Sequence, residues 1–199
     1  TVACSNGETK TRLMKKTKHL LIVANVDWIF IAHRMAIGKE ALDKGFQVTV
    51  LAKNTGRASE IQEAGMHFID LPISRSGTHP FSECKALYFM FSVYRKVRPN
   101  LVYQVTMKPV IYGTLISKIL KLKTVNGISG LGYNFTGDRS GLIQKIMILL
   151  MRYAFDKSDN HLVFENKDDL VEFQALKIVA AKNTFQIVKG VGVDLHKYY

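Results

Sequence analysis

Two cysteines in 199 residues, Cys4 and Cys84, are too few and too far apart for a disulfide framework or a zinc ligand set, so neither a disulfide-stapled fold nor a zinc domain is expected. No apolar stretch approaches the roughly 20 residues that cross a bilayer. The densest runs, Ile146 to Met151 and Tyr88 to Tyr94, fall well short of that length. No internal repeat or low-complexity linker interrupts the chain, whose length suits one domain. Acidic residues are scarce as well: 16 Asp plus Glu stand against 28 Lys plus Arg, for a net charge of +12. That balance favours an anionic partner, and nucleic acid, an acidic membrane face and phosphorylated small molecules all qualify. A cytoplasmic location is expected, with any membrane contact peripheral to the inner face.

What is present is an alternation of short Val, Ile and Leu-rich runs with longer amphipathic stretches, the pattern of a parallel sheet wrapped by helices. Residues 1–13 are polar and patternless, and Met14-Lys15-Lys16 reads as a natural start, so 1–13 are expected to be a leader without order. The domain is expected over 14–189, with 190–199 opening a linker. Strands are predicted at His19 to Asn25, Phe46 to Ala52, His67 to Leu71, Leu101 to Val105, Thr124 to Ile128, His161 to Glu165 and Thr184 to Val188. Helices are predicted at Ile29 to Lys44, Arg57 to Ala64, Phe81 to Val97, Val110 to Leu120, Gly141 to Phe155 and Lys167 to Leu176. Leu20-Leu21-Ile22-Val23-Ala24 is apolar without alternation, as a strand covered on both faces must be. The expected fold is therefore α/β: a Rossmann-like, doubly wound, mostly parallel seven-stranded sheet with helices on both faces.

In such sheets ligands sit beyond the carboxyl ends of the strands, so the loops leaving each strand are the ones to inspect. The first, from Asn25 through Asp27 and Trp28 to His33 and Arg34, contains no glycine, which argues against a dinucleotide fingerprint and an NAD-type oxidoreductase. Asn25 and Asp27 either meet a ligand or cap the following helix. His33 and Arg34 are adjacent on a helix, so one of the two is expected to face the crevice. Arg75 lies in the polar loop after the third strand, and Thr106 and Lys108 follow the fourth, with Lys108 just before Pro109 at a helix start. There the helix dipole adds to the lysine's field. After the fifth strand, Ser129, Gly130, Gly132 and Tyr133 form a glycine-rich loop able to offer backbone N–H groups to a phosphate or let a sugar approach closely.

Asn25 to Arg34, Arg75-Ser76-Gly77, Lys108 to Gly113, Asn126 to Tyr133 and Gly190 to Asp194 together resemble GT-B glycosyltransferases. More narrowly, they resemble the amino-terminal acceptor domain of the retaining "group 1", family 4-like bacterial enzymes. The resemblance runs from about Lys18 to Asp194. It implies an acceptor held mainly by this domain and a UDP- or GDP-sugar held mainly by a carboxyl-terminal domain, with no metal or other cofactor. It also implies a role in capsule, O-antigen or lipid-linked oligosaccharide synthesis, with a lipid-pyrophosphate or glycan acceptor and no nucleic acid. The fragment alone is then expected to be inactive.

The expected substrate-binding set is Asn25, Asp27, Trp28, His33, Arg34, Arg75, Thr106, Lys108, Ser129, Gly130, Gly132 and Tyr133, with no catalytic residue assigned. Basic groups suit a lipid pyrophosphate and a leaving nucleotide diphosphate. Two other readings stand beside this one: a free-standing module binding a small ligand, and a nucleic-acid-binding domain suggested by charge alone.

Overall fold

A computed structural model describes residues 17–73, 80–129, 141–156, 159–179, 183–188 and 190. Seven strands, β1 (His19–Val26), β2 (Gln47–Lys53), β3 (His67–Asp70), β4 (Leu101–Val105), β5 (Thr124–Ile128), β6 (Asn160–Phe164) and β7 (Thr184–Ile187), form one sheet in the order β3-β2-β1-β4-β5-β6-β7. Every pair is parallel, with Leu20 opposite Val48 on one side and opposite Leu101 on the other. β1 is central. Its Leu21, Ile22, Val23 and Ala24 are wholly buried, as their unbroken hydrophobicity requires.

The connections are helical: α1 (Asp27–His33), α2 (Met35–Asp43), α3 (Ala58–Glu63), α4 (Pro80–Val97), α5 (Met107–Leu120), α6 (Leu142–Phe155) and α7 (Lys167–Ala175). Phe30 of α1 and Ile61 of α3 pack on the β1 and β2 face that carries Leu20, Ile22, Val48 and Val50. The opposite face is covered by α4 through Met90 and Tyr94, by α5 and α6, and by α7 through Leu170 and Phe173. This is the doubly wound arrangement expected from the alternation of elements. Because the chain steps outward from β1 to β3 and then returns to start again at β4, the winding reverses between β1 and β4. That boundary is the topological switch point, where such sheets open a crevice at their carboxyl edge.

Two local departures bear on the site. The helix expected over Ile29 to Lys44 is interrupted: Arg34 leaves helical geometry at φ −132° and ψ −3°, separating α1 from α2. Its side chain is buried and ion-paired with Glu165 beyond β6, a tertiary contact that overrides the helical periodicity. Second, α5 begins at Met107, so Lys108 and Pro109 stand inside its first turn. A proline is tolerated there because first-turn N–H groups have no partner within the helix.

On the α1–α3 side, the half of the sheet formed by β4, β5 and β6 is not covered by any described helix. Leu20, Ile37, Leu101, Tyr103, Val125 and Val163 line an apolar groove of about 380 Å³ along it.

Candidate functional site

The switch point brings the loops after β1 and β4 together at one rim. Of the expected residues, Asn25, Asp27 and Trp28 stand on the β1 side, Thr106 and Lys108 on the β4 side, and Ser129 just after β5. Arg75, Gly130, Gly132 and Tyr133 lie outside the described residues, as do the 1–13 segment and all of 190–199 except Gly190.

Asp27 is fully buried. Its carboxylate accepts hydrogen bonds from the backbone N–H of Trp28 at 2.8 Å, of Thr55 at 2.7 Å and of Arg57 at 3.0 Å, and a further one from the Thr55 hydroxyl. Burial raises the Asp27 carboxyl, but these hydrogen bonds outweigh it and leave it below the usual carboxylate value. The residue therefore ties the first loop to the loop after β2, and it is not the cap of α1, whose N-cap position is Val26. Neighbouring Asn25 is half-buried, and among the described residues its Oδ1 is shielded from solvent without a hydrogen bond. A buried carbonyl of this kind is expected to find a partner, and a ligand hydroxyl is one.

On the β4 side, Thr106 adopts φ 69° and ψ 148°, at the edge of a region that only glycine visits easily. Its hydroxyl donates to the carbonyl of Val105. The Nζ of Lys108 lies 2.7 Å from Glu83 Oε1 of α4, and the hydroxyl of Tyr112, one turn further along α5, donates to the other oxygen at 2.6 Å. Burial, reinforced by the Glu83 carboxylate, pushes the Tyr112 phenol well above its ordinary range. Gly113 follows for a packing reason: a Cβ there would stand 1.7 Å from Gln104 Oε1 and 2.4 Å from the Tyr94 hydroxyl. The Lys108 to Gly113 segment thus combines a rim cation with a close helix-to-sheet contact.

His33 and Arg34 differ in burial, with Arg34 standing at the break between α1 and α2. His33 is exposed, whereas Arg34 is 5% exposed and pairs with Glu165, its Nη1 also donating to the carbonyl of His33 at 3.1 Å. The ion pair stands at the carboxyl-edge end of the apolar groove, next to Tyr103, whose phenol burial holds above its ordinary range against the pull of Arg34. Ser129 is exposed, while Asn126, from the same stretch, is buried in a polar ladder with Thr114 and Asn160 beneath α5. Sequence reasoning missed Glu83 and Glu165, the carboxylates that hold the two rim cations. Glu165 carried a readable signal, since it sits at the carboxyl end of a predicted strand.

Among the described residues no cluster of three His, Cys, Asp or Glu side chains could hold a metal ion. The rim instead offers hydroxyls, an unpartnered amide oxygen, two charge-paired cations and the positive end of α5, a set suited to hydroxyl-rich and anionic ligands.

A family model described as glycosyl transferase 4-like matches residues 19–166. The chain belongs to this family. The strand order and all-parallel pairing are those of the Rossmann-like domains of GT-B glycosyltransferases, as the sequence resemblance implied. Solved structures agree on the fold. A glycosyltransferase from Rickettsia africae ESF-5 superposes at TM-score 0.57 with 12% identity, over 85% of this chain and 42% of that one. The Anabaena HepE protein, solved in complex with UDP and glucose, gives TM-score 0.60 and 12% identity over 90% of this chain and 46% of that one. The UDP-GlcNAc 2-epimerase of Methanocaldococcus jannaschii gives 0.55 and 19% over 84% and 45%. The chain spans under half the length of each of these structures. A comparison with curated proteins finds no match.

Proposed function

We propose that the chain is the acceptor-side domain of a glycosyltransferase that moves a hexosyl or N-acetylhexosaminyl group from a UDP- or GDP-sugar to a lipid-linked or polysaccharide acceptor in bacterial cell-surface glycan synthesis. The observation that carries the reading is the family match across β1 to β6, which includes both sides of the switch-point rim. Fold likeness alone would not choose, because an epimerase shares the sheet. The donor is held mainly by a second domain of the intact protein, no metal takes part, and the protein works at the inner face of the plasma membrane.

In this reading the first loop presents Asn25, Asp27 and Trp28 to the acceptor, with Asp27 fixing the loop and the Asn25 oxygen accepting from a sugar hydroxyl. His33 and Arg34 approach from α1, and Arg75 and the segment from Ser129 through Gly130, Gly132 and Tyr133 close the site. Thr106 and Lys108, at the head of α5, face the pyrophosphate of acceptor or donor. Lys108 is charge-balanced by Glu83 while the site is empty, and an incoming phosphate competes for it. As the glycosidic bond forms, the leaving diphosphate gains charge, and a cation already positioned at low exposure stabilises that charge without reorganising.

The test is the intact protein assayed against a panel of UDP- and GDP-sugars with a polyprenyl-pyrophosphate-linked acceptor. Sugar transfer without added metal is expected, and Lys108→Ala should lower kcat/KM by about a hundredfold, the usual scale for one electrostatic contact. Absence of transfer with every donor, or epimerised donor as the sole product, overturns the reading, and unchanged kinetics in Lys108→Ala removes that lysine from the site.

A further inference from the structure

α6 carries apolar side chains on its solvent-facing side as well as on its inward one, beside a polar edge of Gln144, Lys145 and Arg152. Its inward residues Met151, Ala154 and Phe155 are fully buried against β5, β6 and α7. Its outward residues Ile146, Leu149, Leu150 and Tyr153 are 46%, 60%, 37% and 62% exposed. Four large apolar side chains exposed in one stripe on a single helix form a patch of the kind that marks an interaction surface. In the same layer, where α5 contacts both α4 and α6, Ile119 of α5 and Tyr88 and Phe81 of α4 are exposed too.

Charge selects the cover. Across α4, α5 and α6 the one acidic residue is Glu83, which is 13% exposed and already paired with Lys108. The same three helices and their C-terminal turns carry Lys85, Arg95, Lys96, Arg98, Lys118, Lys121, Lys145 and Arg152, against which the turns add one acid, Asp156 at the end of α6. Lys118 sits 3.7 Å from the centre of the Tyr153 ring and donates to its backbone carbonyl at 2.6 Å, so cation and aromatic stand side by side at the layer surface. A second copy of the chain seated on this stripe would oppose these cations with identical ones, which disfavours self-association. An anionic bilayer meets both demands at once: acyl chains accept Leu149 and Tyr153, and headgroups neutralise the lysines and arginines.

We infer that the outer surface of the α4–α5–α6 layer is a docking face for an anionic lipid bilayer, with α6 lying in the headgroup plane. This deepens the peripheral location proposed above and stands apart from the chemistry at the rim. A face of this kind holds the domain against the surface where a lipid-borne acceptor resides. The helices need not cross the bilayer, and no described helix is long and apolar enough to do so.

The experiment is co-sedimentation of the chain with phosphatidylglycerol–phosphatidylcholine vesicles and with pure phosphatidylcholine vesicles at low and high salt. Pelleting is expected with the anionic vesicles, strongest at low salt, and little with the neutral ones. Lys121→Gln with Lys145→Gln, both exposed positions, should weaken partitioning about 25-fold, at roughly fivefold per cation. Leu149→Ser with Tyr153→Ser should weaken it by at least about tenfold while thermal melts remain unchanged. Failure to pellet, equal binding to neutral vesicles, or full binding by the serine pair overturns the inference. So does a dimer in analytical ultracentrifugation that the serine pair dissolves. None of these results bears on sugar transfer by the intact protein, and loss of transfer would leave a positive vesicle result standing.

Discussion

The two sides of the switch point use their charged residues differently. On the β1 side the carboxylate of Asp27 is wholly committed to backbone and hydroxyl donors of Trp28, Thr55 and Arg57, so it locks one loop to another. On the β4 side Lys108 is ion-paired with Glu83 across a helix pair, next to a threonine in an unfavourable backbone conformation. The Asp27 carboxylate on the first side is saturated, while the Oδ1 of Asn25 beside it has no hydrogen bond among the described residues. The second side holds a paired cation of low exposure, together with backbone strain of the kind that persists at functional sites. In the function proposed above, a tied loop on one wall and a paired cation on the other would position a ligand and meet its charge.

Asp27→Ala should cause the largest change, because it removes the acceptor shared by three backbone N–H groups and the Thr55 hydroxyl. A loss of about 3 kcal/mol of unfolding free energy is expected in urea titrations. A pH series sharpens the point. The folded carboxyl titrates below its unfolded value, so its contribution is complete above that value, about 3.9, and fades as pH falls through the folded value. Asp27→Asn should therefore lose the part of the acid-side stability slope that this residue supplies. A wild-type slope retained in Asp27→Asn would show that the loop lock is not electrostatic.

The effect on the other wall should be smaller and of opposite sign. Thr106→Gly relieves a positive φ and should raise the melting midpoint by the equivalent of about 1 kcal/mol. In the intact protein the same change should reduce transfer if the strained turn aims Lys108, and a variant both more stable and fully active would show the strain to be incidental.

The fold could be read from local pattern because parallel strands buried on both faces announce themselves as unbroken apolar runs. β4 and β5 fall at the expected Leu101–Val105 and Thr124–Ile128, and the other strands within a residue or so. What local pattern does not carry is the identity of distant partners. Arg34 meets Glu165 across 131 residues of sequence, and that contact, invisible to helical periodicity, splits α1 from α2. Lys108 meets Glu83 across 25 residues and Asp27 meets Thr55 across 28. Rim positions were therefore legible from strand ends alone, whereas the state of each rim charge required the fold.

Hydrogen exchange on the intact protein, with and without a nucleoside-diphosphate sugar and a pyrophosphate-linked acceptor, tests the central claim most directly. Binding should slow exchange at residues 25–34, 54–57 and 105–112, the loops that meet at the switch point, and leave the amino-terminal edge of the sheet unchanged. Protection confined to the sheet's amino-terminal edge or to the apolar groove, with those loops unaffected, would contradict it.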